Sequence, residues 1–408
     1  MKKSLLALAV LGAFAGAAQA QSSVTIYGIV DTGIVYSSKV ATGGTVGNVA
    51  TGSRFQLSSG NVQGSRIGFK GVEDLGGGLS AVFNLETGFD NDTGALNGQD
   101  KSPAGTTNLF RRKSVVGLQG GFGAVLLGRQ TDFLDDLGGA LTSVGDFGGW
   151  TGNVGNNLNR LEGTRTNNSI RYNTNNLGGF TGSLIYGFGE TAGQTSAGQS
   201  FGAGLKYENG PLALGAAYYQ AKVGKTASDT SLLNNTNLNI VADNVAGIHA
   251  GDIGVKTFAL NAKYTFGNAA VYGGWSRTKQ PWATGSSVAA IADVTKPTTY
   301  IIGGLNNDKT DTFELGGSYN VSPALKLMAA IDYSRINYVA SPVAADPSKG
   351  RLIQYSLGAD YFLSKRTDLY AMLGFLSAKD TLNPGISGGT TGSDSNQTAL
   401  AVGIRHKF

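Results

Sequence analysis

The chain has 408 residues, among them 63 Gly and 8 Pro but no Cys, with 9% aromatic residues and a formal charge of +5. No disulfide can form, and a charge this small, with no long Lys/Arg run, gives no footing for nucleic acid. Abundant Gly with aromatic residues suits strands and turns better than helices.

Residues 1–20 open with Lys2 and Lys3, continue through the apolar core "LLALAVLGAFAGAA" and end at Ala18-Gln19-Ala20. A positive start, a short apolar run and an A-x-A site read as a secretory signal peptide, and the run is too short to be a spanning helix. Removing its two lysines takes the formal charge from +5 to +3. No later apolar stretch reaches the length of a membrane helix, which leaves a soluble exported β protein or a β-barrel in an outer membrane.

Residues 21–408 then read as one all-β domain, because long segments alternate with period two. In "TFALNAKYTFG", Phe258, Leu260, Ala262, Tyr264 and Phe266 share a face opposite Ala259, Asn261, Lys263 and Thr265. "TFELGGSYNV" and "LKLMAAIDYS" repeat the pattern. About ten residues of strict alternation is the length of a tilted membrane strand and about twice a usual soluble one. The spacing predicts sixteen strands near 24–36, 54–73, 79–89, 109–119, 124–130, 167–174, 181–190, 199–208, 211–222, 256–266, 269–279, 311–321, 325–337, 351–362, 367–378 and 397–408. Tight turns such as "DLGGGL", "ENGPL" and "LSKRTD" alternate with long loops at 90–108, 131–166, 223–255 and 280–309, as in a transmembrane antiparallel barrel. A barrel of about sixteen strands is too wide for its own side chains to fill, so its lumen holds water. The closing segment "LAVGIRHKF" is a strand, since an open edge in lipid would leave backbone groups unsatisfied; Phe408 and His406 fall on its lipid face.

The segments "SSVTIYGIVDTGI", "SGNVQGSRIGFKGVEDLGGGLSAVFNLE", "RRKSVVGLQGGFGAVLLGRQ", "NSIRYN" and "AVGIRHKF" resemble the general porins of Gram-negative bacteria, particularly the trimeric sixteen-stranded group of the β-proteobacteria. The resemblance covers essentially the whole chain after residue 20. It implies a homotrimer of water-filled barrels among outer-membrane lipid and lipopolysaccharide, each pore constricted by an inward-folded loop three at 131–166. It implies too that Phe408 is read by the barrel assembly machinery, and it implies no cofactor, no metal and no catalytic residue.

Loop three carries Asp132, Asp135, Asp136, Asp146 and Glu162. Its "DFGGW" resembles the family's tip motif but has Gly145-Asp146 where the family has Pro-Glu. Arginines line the facing wall in such proteins. If Ile67 and Phe69 face lipid, Arg66 and Lys70 point inward; if Ile170 and Tyr172 face lipid, Ser169, Arg171 and Asn173 do. The "RKSVVGL" stretch carries the family's arginine to Arg112, although alternation puts Arg111 and Lys113 on one face and Arg112 on the other. Arg66, Arg112 and Arg171, followed by Lys70, Arg129 and Arg54, are the candidate basic wall. Loop carboxylates and wall guanidiniums held apart by water would set up a transverse field, and the arginines tilt a roughly balanced lumen toward anions.

Only His249 and His406 exist, so a catalytic triad or a histidine metal site has little material. Two alternatives stay open on the sequence. One is a solute-specific channel of the same architecture, and the other is a barrel whose loops act as adhesin or receptor.

Overall fold

A computed structural model describes residues 23–45, 48–96, 109–152, 154, 159–161, 165–190, 192–193, 195–196, 198–222, 254–279, 307–338, 349–379, 385–386 and 395–408. The proposed signal peptide and Glu162 lie outside the described residues. The strands are β1 Ser23–Thr45, β2 Asn48–Ser59, β3 Arg66–Gly76, β4 Leu79–Gly88, β5 Lys113–Gly120, β6 Gly123–Thr131, β7 Arg165–Asn173, β8 Phe180–Gly187 and β9 Ser200–Asn209. They continue with β10 Leu212–Lys222, β11 Gly254–Phe266, β12 Ala269–Lys279, β13 Asn307–Ser322, β14 Leu325–Tyr338, β15 Lys349–Phe362, β16 Thr367–Lys379 and β17 Asn396–Lys407. Two helices, α1 (Phe133–Leu141) and α2 (Ser143–Thr151), stand between β6 and β7.

β2 and β3 both pair antiparallel with β1, every later strand pairs antiparallel with its chain neighbours, and β1 pairs with β17, so the sheet is closed. Seventeen segments make sixteen barrel positions. Both β2 and β3 lie against β1, β2 along Thr32–Thr45 and β3 along Ser23–Ile29. The single strand expected at 54–73 is thus broken at 60–65, and the stretch from 37 to 53 belongs largely to a hairpin of β1 with β2. At the seam, the Gly28 N–H donates to the Phe408 carbonyl at 3.0 Å and the Phe408 N–H returns a bond to Gly28 at 3.1 Å. The terminal residue closes the barrel with both of its backbone polar groups, as lipid demands.

Side chains alternate as the periodicity requires. Along β17, Gln397, Ala399, Ala401 and Arg405 are buried inside, while Leu400, Val402, Ile404, His406 and Phe408 are exposed outside. The exposed large apolar side chains, such as Leu260, Phe313, Leu315 and Leu357, form the lipid face.

The break at 60–65 has a polar cause. Asp31 is fully buried on the inner face of β1, and its Oδ2 accepts from the Val62 N–H at 2.9 Å and the Gln63 N–H at 2.7 Å. Its Oδ1 accepts from the Tyr370 hydroxyl at 2.7 Å, and Asn61 Nδ2 donates to that hydroxyl at 3.0 Å. A buried carboxylate holds its charge only when hydrogen-bonded. Here the donors are backbone groups taken out of the β-ladder, and Val62 is buried among the side chains inside the barrel.

Candidate pore lining

Residues 131–166 were expected as a loop; the described part holds two helices set against the inner wall. Asp132 caps α1, accepting from the Leu134 N–H at 2.9 Å and the Asp135 N–H at 3.4 Å. Thr142 ends one helix and begins the next: its hydroxyl donates to the Gly138 carbonyl at 2.7 Å and accepts from the Val144 N–H at 3.2 Å. Nine-residue helices are marginal alone, so packing must hold them. Phe133, Leu134, Leu137 and Leu141 pack with Ala217, Tyr219 and Ala259 on β10 and β11. The wall is hollowed to receive them: a Cβ on Gly204 would stand 1.8 Å from the Phe133 ring, and one on Gly215 would stand 2.4 Å from Leu137.

Helix α2 docks farther round, against β13 to β16. Phe147 is fully buried with Met328 and Met372, and the Thr151 carbonyl accepts from Gln354 Nε2 at 2.9 Å and Ser356 Oγ at 2.7 Å. Ser143 binds Glu314 through its N–H at 3.1 Å, with its hydroxyl 2.5 Å from the other carboxylate oxygen. Gly148 has φ of 64°, and a Cβ there would stand 1.5 Å from the Val62 carbonyl. Only glycine fits, and the contact joins the loop to the bent segment that Asp31 holds.

With the loop laid on β9 to β16, the wall from β3 to β7 is left facing the lumen. Glu86 on β4 points inward beside Tyr27, whose hydroxyl donates to it at 2.9 Å. Arg112 pairs with Glu86 at 2.6 Å. Alternation had set Arg112 apart from Arg111 and Lys113, but β5 begins only at Lys113, so the bend before it releases Arg112 from the strand's alternation. Arg165, which the sequence reading did not single out, donates from Nε to the Arg112 carbonyl at 3.1 Å. It is the first residue of β7, two before the strand was expected to start, and so it was read as loop. Arg66 donates to the Gly64 carbonyl at 2.9 Å, and Lys70 stands 5.3 Å from the centre of the inward Tyr27 ring.

Arg171 lies inward with Ser169, as Ile170 faces out, and it acts as a bracket. Its Nε donates to Asn173 and Ser183, each at 2.9 Å, and its Nη1 to the Thr131 carbonyl at 2.8 Å. Its Nη2 pairs with Asp136 of α1. The other loop carboxylates are distributed differently. Asp146 pairs with Lys326 at 2.5 Å on the docked side. Asp135 lies where Arg165 and Arg112 act on it electrostatically. Asp132 is buried at the helix cap, and burial pushes its carboxyl up to about 7 against the pull of the Arg160 charge.

Two expectations therefore change. Water was to separate loop carboxylates from wall cations, yet Asp136 and Asp146 are in contact ion pairs. Arg129 does not join the basic wall. A bulge follows Gly128, Arg129 registers opposite Ser114 on the outer face, and its guanidinium is held by the Arg111 carbonyl and by Asn167 Oδ1 at 2.5 Å. The neighbouring Gln130 is the inward residue there, bound to Ser169 Oγ at 3.2 Å. Arg54 registers opposite the buried Ser37, inside the barrel on the β1–β2 hairpin.

A closed sixteen-stranded barrel with an apolar exterior, a polar interior and a long inserted segment defines an outer-membrane channel. The sequence matches the family described as Gram-negative porin over residues 7–381. It is 35% identical over 430 residues to outer membrane porin protein 32 of Delftia acidovorans, covering 100% of both chains. It is 32% identical over 428 residues to an outer membrane porin protein of Bordetella pertussis, again covering 100% of both. Among solved structures, the anion-selective porin from Comamonas acidovorans superposes with a TM-score of 0.65 at 29% identity, covering 95% of this chain and 100% of that one. The chain belongs to the Gram-negative porins. It is an outer-membrane channel protein for small hydrophilic solutes.

Proposed function

We propose that this channel works by passive diffusion with a mild preference for anions, and that its narrowest section, the constriction, lies between α1 and the wall from β3 to β7. The observation that carries this reading is the charge inventory there. Arg66, Arg112, Arg165 and Arg171 face Glu86, Asp135 and Asp136, leaving an excess of guanidinium in a low-dielectric passage that focuses potential. Guanidinium stays charged and offers a planar fork to a passing anion while one edge is held by the protein. Lys70 adds charge on the same face. The similar Comamonas porin is described as anion-selective.

On this reading Asp132 and Asp146 hold the loop rather than meet the solute. Residues 1–20 act as a cleaved export signal. Three copies assemble as a homotrimer in a lipopolysaccharide-bearing membrane, Phe408 is presented to the assembly machinery, and the protein has no catalytic role.

The test is single-channel recording in a planar bilayer for the wild type and for Arg112→Ala combined with Arg171→Ala. Steps in groups of three, with the reversal potential of the variant moved toward cations, support the trimeric pore and its constriction. Triplet steps with unchanged selectivity place the selective cations elsewhere in the lumen.

A further inference from the structure

Segment 60–65, which interrupts the wall, carries more contacts than a strand break needs. Its hold on Asp31 crosses the place where the first and last strands of the barrel meet. Register puts Tyr370 of β16 beside Gly403 of β17, and Gly403 beside Gly33 of β1. A Cβ on Gly403 would stand 2.3 Å from the Tyr370 hydroxyl, and one on Gly33 would stand 2.8 Å from it, so the bare glycines let the phenol reach over β17 to β1. There the buried hydroxyl donates to Asp31 and accepts from Asn61, the partners that a buried phenol requires. The other oxygen of the Asp31 carboxylate takes the Val62 and Gln63 N–H groups. The Asp31 backbone adds to this: its carbonyl accepts from the Gly60 N–H at 2.7 Å, and its N–H donates to Ser65 Oγ at 3.0 Å. Both ends of the segment are tied to one residue.

From that anchorage the segment reaches both sides of the passage. On one side, Val62 is buried with Phe147, and its carbonyl leaves no room for a Cβ at Gly148 of α2. On the other, the Gly64 carbonyl accepts from Arg66 Nε at 2.9 Å, and a Cβ on Gly64 would stand 3.2 Å from Arg112 Nη1. The Ser65 carbonyl accepts from the Phe89 N–H at 3.1 Å, just past the end of β4. These contacts are close-packed, so a shift of the segment moves α2 and the two guanidiniums together. Asp31, Asn61 and Tyr370 are themselves buried, and none of the three is exposed to a passing solute.

We propose that Asp31, Tyr370 and Asn61 are positioning residues of the pore, a clasp that sets the gap between the inserted helices and the arginines Arg66 and Arg112 by fixing segment 60–65 between them. Hydrogen bonds from backbone N–H groups to a buried carboxylate are short and strong, so they hold a segment that has left the β-ladder as a spacer of defined position. The clasp forms only when β16, β17 and β1 lie side by side, which ties the aperture of the pore to closure of the barrel. The proposal rests on the constriction reading in one respect, because it takes Arg66 and Arg112 as selective cations. Its other half, the seating of α2, does not need that reading.

The test uses the full-length protein in planar bilayers, with thermal unfolding in detergent measured on the same samples. Tyr370→Phe deletes one hydroxyl, keeps the ring and changes no charge. It should raise open-channel noise and lower the anion-to-cation permeability ratio by about twofold, less than removing Arg66 outright, because a wider passage keeps ions farther from the guanidiniums. Asn61→Ala, which removes the other partner of that hydroxyl, should act in the same direction. Asp31→Asn and Asp31→Ala lose the same charge, but Asn keeps an oxygen for the Val62 and Gln63 N–H groups. The Asn variant should therefore be quieter and more anion-preferring than the Ala variant. An effect that follows charge alone, with Asp31→Asn equal to Asp31→Ala and Tyr370→Phe equal to the wild type, overturns the proposal. So does a lower unfolding midpoint with noise and permeability ratio unchanged, which is what a merely structural role produces. If Asp31→Ala fails to fold, Tyr370→Phe and Asn61→Ala decide the matter from the other two members. The constriction reading fails separately: if Arg66→Ala and Arg112→Ala leave the permeability ratio at the wild-type value, the selective cations lie elsewhere, and the clasp stands or falls on noise and step size.

Discussion

The two halves of the inner wall are built on opposite plans. From β9 to β16 the small and apolar inward residues Gly204, Gly215, Ala217, Ala259, Met328 and Met372 form a bed in which Phe133, Leu137 and Phe147 lie, and the polar inward residues Glu314, Lys326, Gln354 and Ser356 bind polar groups of the loop itself. From β3 to β7 the inward face carries the long charged side chains Arg66, Lys70, Glu86 and Arg171 between small ones such as Gly68 and Ser169. A segment that must stay put needs hollows, and a passage that must pull ions from water needs side chains that keep their charge at the surface. The loop's own carboxylates follow the division. Asp146 is neutralised by Lys326 on the docked side, while Asp135 and Asp136 look toward the guanidiniums.

The largest break in this contrast should come from emptying the bed. Phe147→Ala removes a fully buried ring and should cost about 3–5 kcal/mol in thermal or denaturant unfolding in detergent. It should also raise current noise as α2 loosens, whereas Phe55→Ala on the lipid face should do neither. Next is the charged half. Arg66→Ala removes a unit charge whose influence across a few ångströms of water is ~1 kcal/mol, so the anion-to-cation permeability ratio should fall by about fivefold, read from reversal potentials.

A smaller effect tests the buried cap. Asp132 binds a proton more tightly in the folded loop, near pH 7, than in an unfolded chain near 3.8. Its contribution favours the folded state most at low pH and is lost as pH rises toward 7, by roughly 1.4 kcal/mol per pH unit at most. Unfolding midpoints compared between pH 5 and pH 8 should drop in the wild type and drop less in Asp132→Asn, which keeps the cap but cannot ionise. The smallest effect belongs to Arg129→Ala: with its guanidinium bonded outside the lumen, selectivity should stay at the wild-type value in the same recordings.

Much of the barrel was legible because period-two alternation and glycine-bearing turns are local features. Ile170 outside and Arg171 inside follow from spacing alone, as does a final strand that closes on Phe408. What escaped depends on partners far along the chain. The break at 60–65 is imposed by Asp31, whose carboxylate recruits the Val62 and Gln63 N–H groups. The inward turn of Arg112 depends on where β5 starts, and the exit of Arg129 depends on the bulge after Gly128. Arg165 was passed over because a two-residue error in the start of β7 left it in a loop. The helices of loop three gave little sequence signal, since Gly138, Gly139, Gly145, Gly148 and Gly149 argue against helix and only the hollowed wall compensates for them.

The central claim is that the exposed wall makes the lumen net attractive to anions. The most direct measurement is the zero-current potential of the wild-type channel across a potassium chloride gradient, because the two ions have nearly equal mobility in water. The account predicts a potential with the sign of chloride preference. A value at zero, or one with the sign of potassium preference, would contradict it.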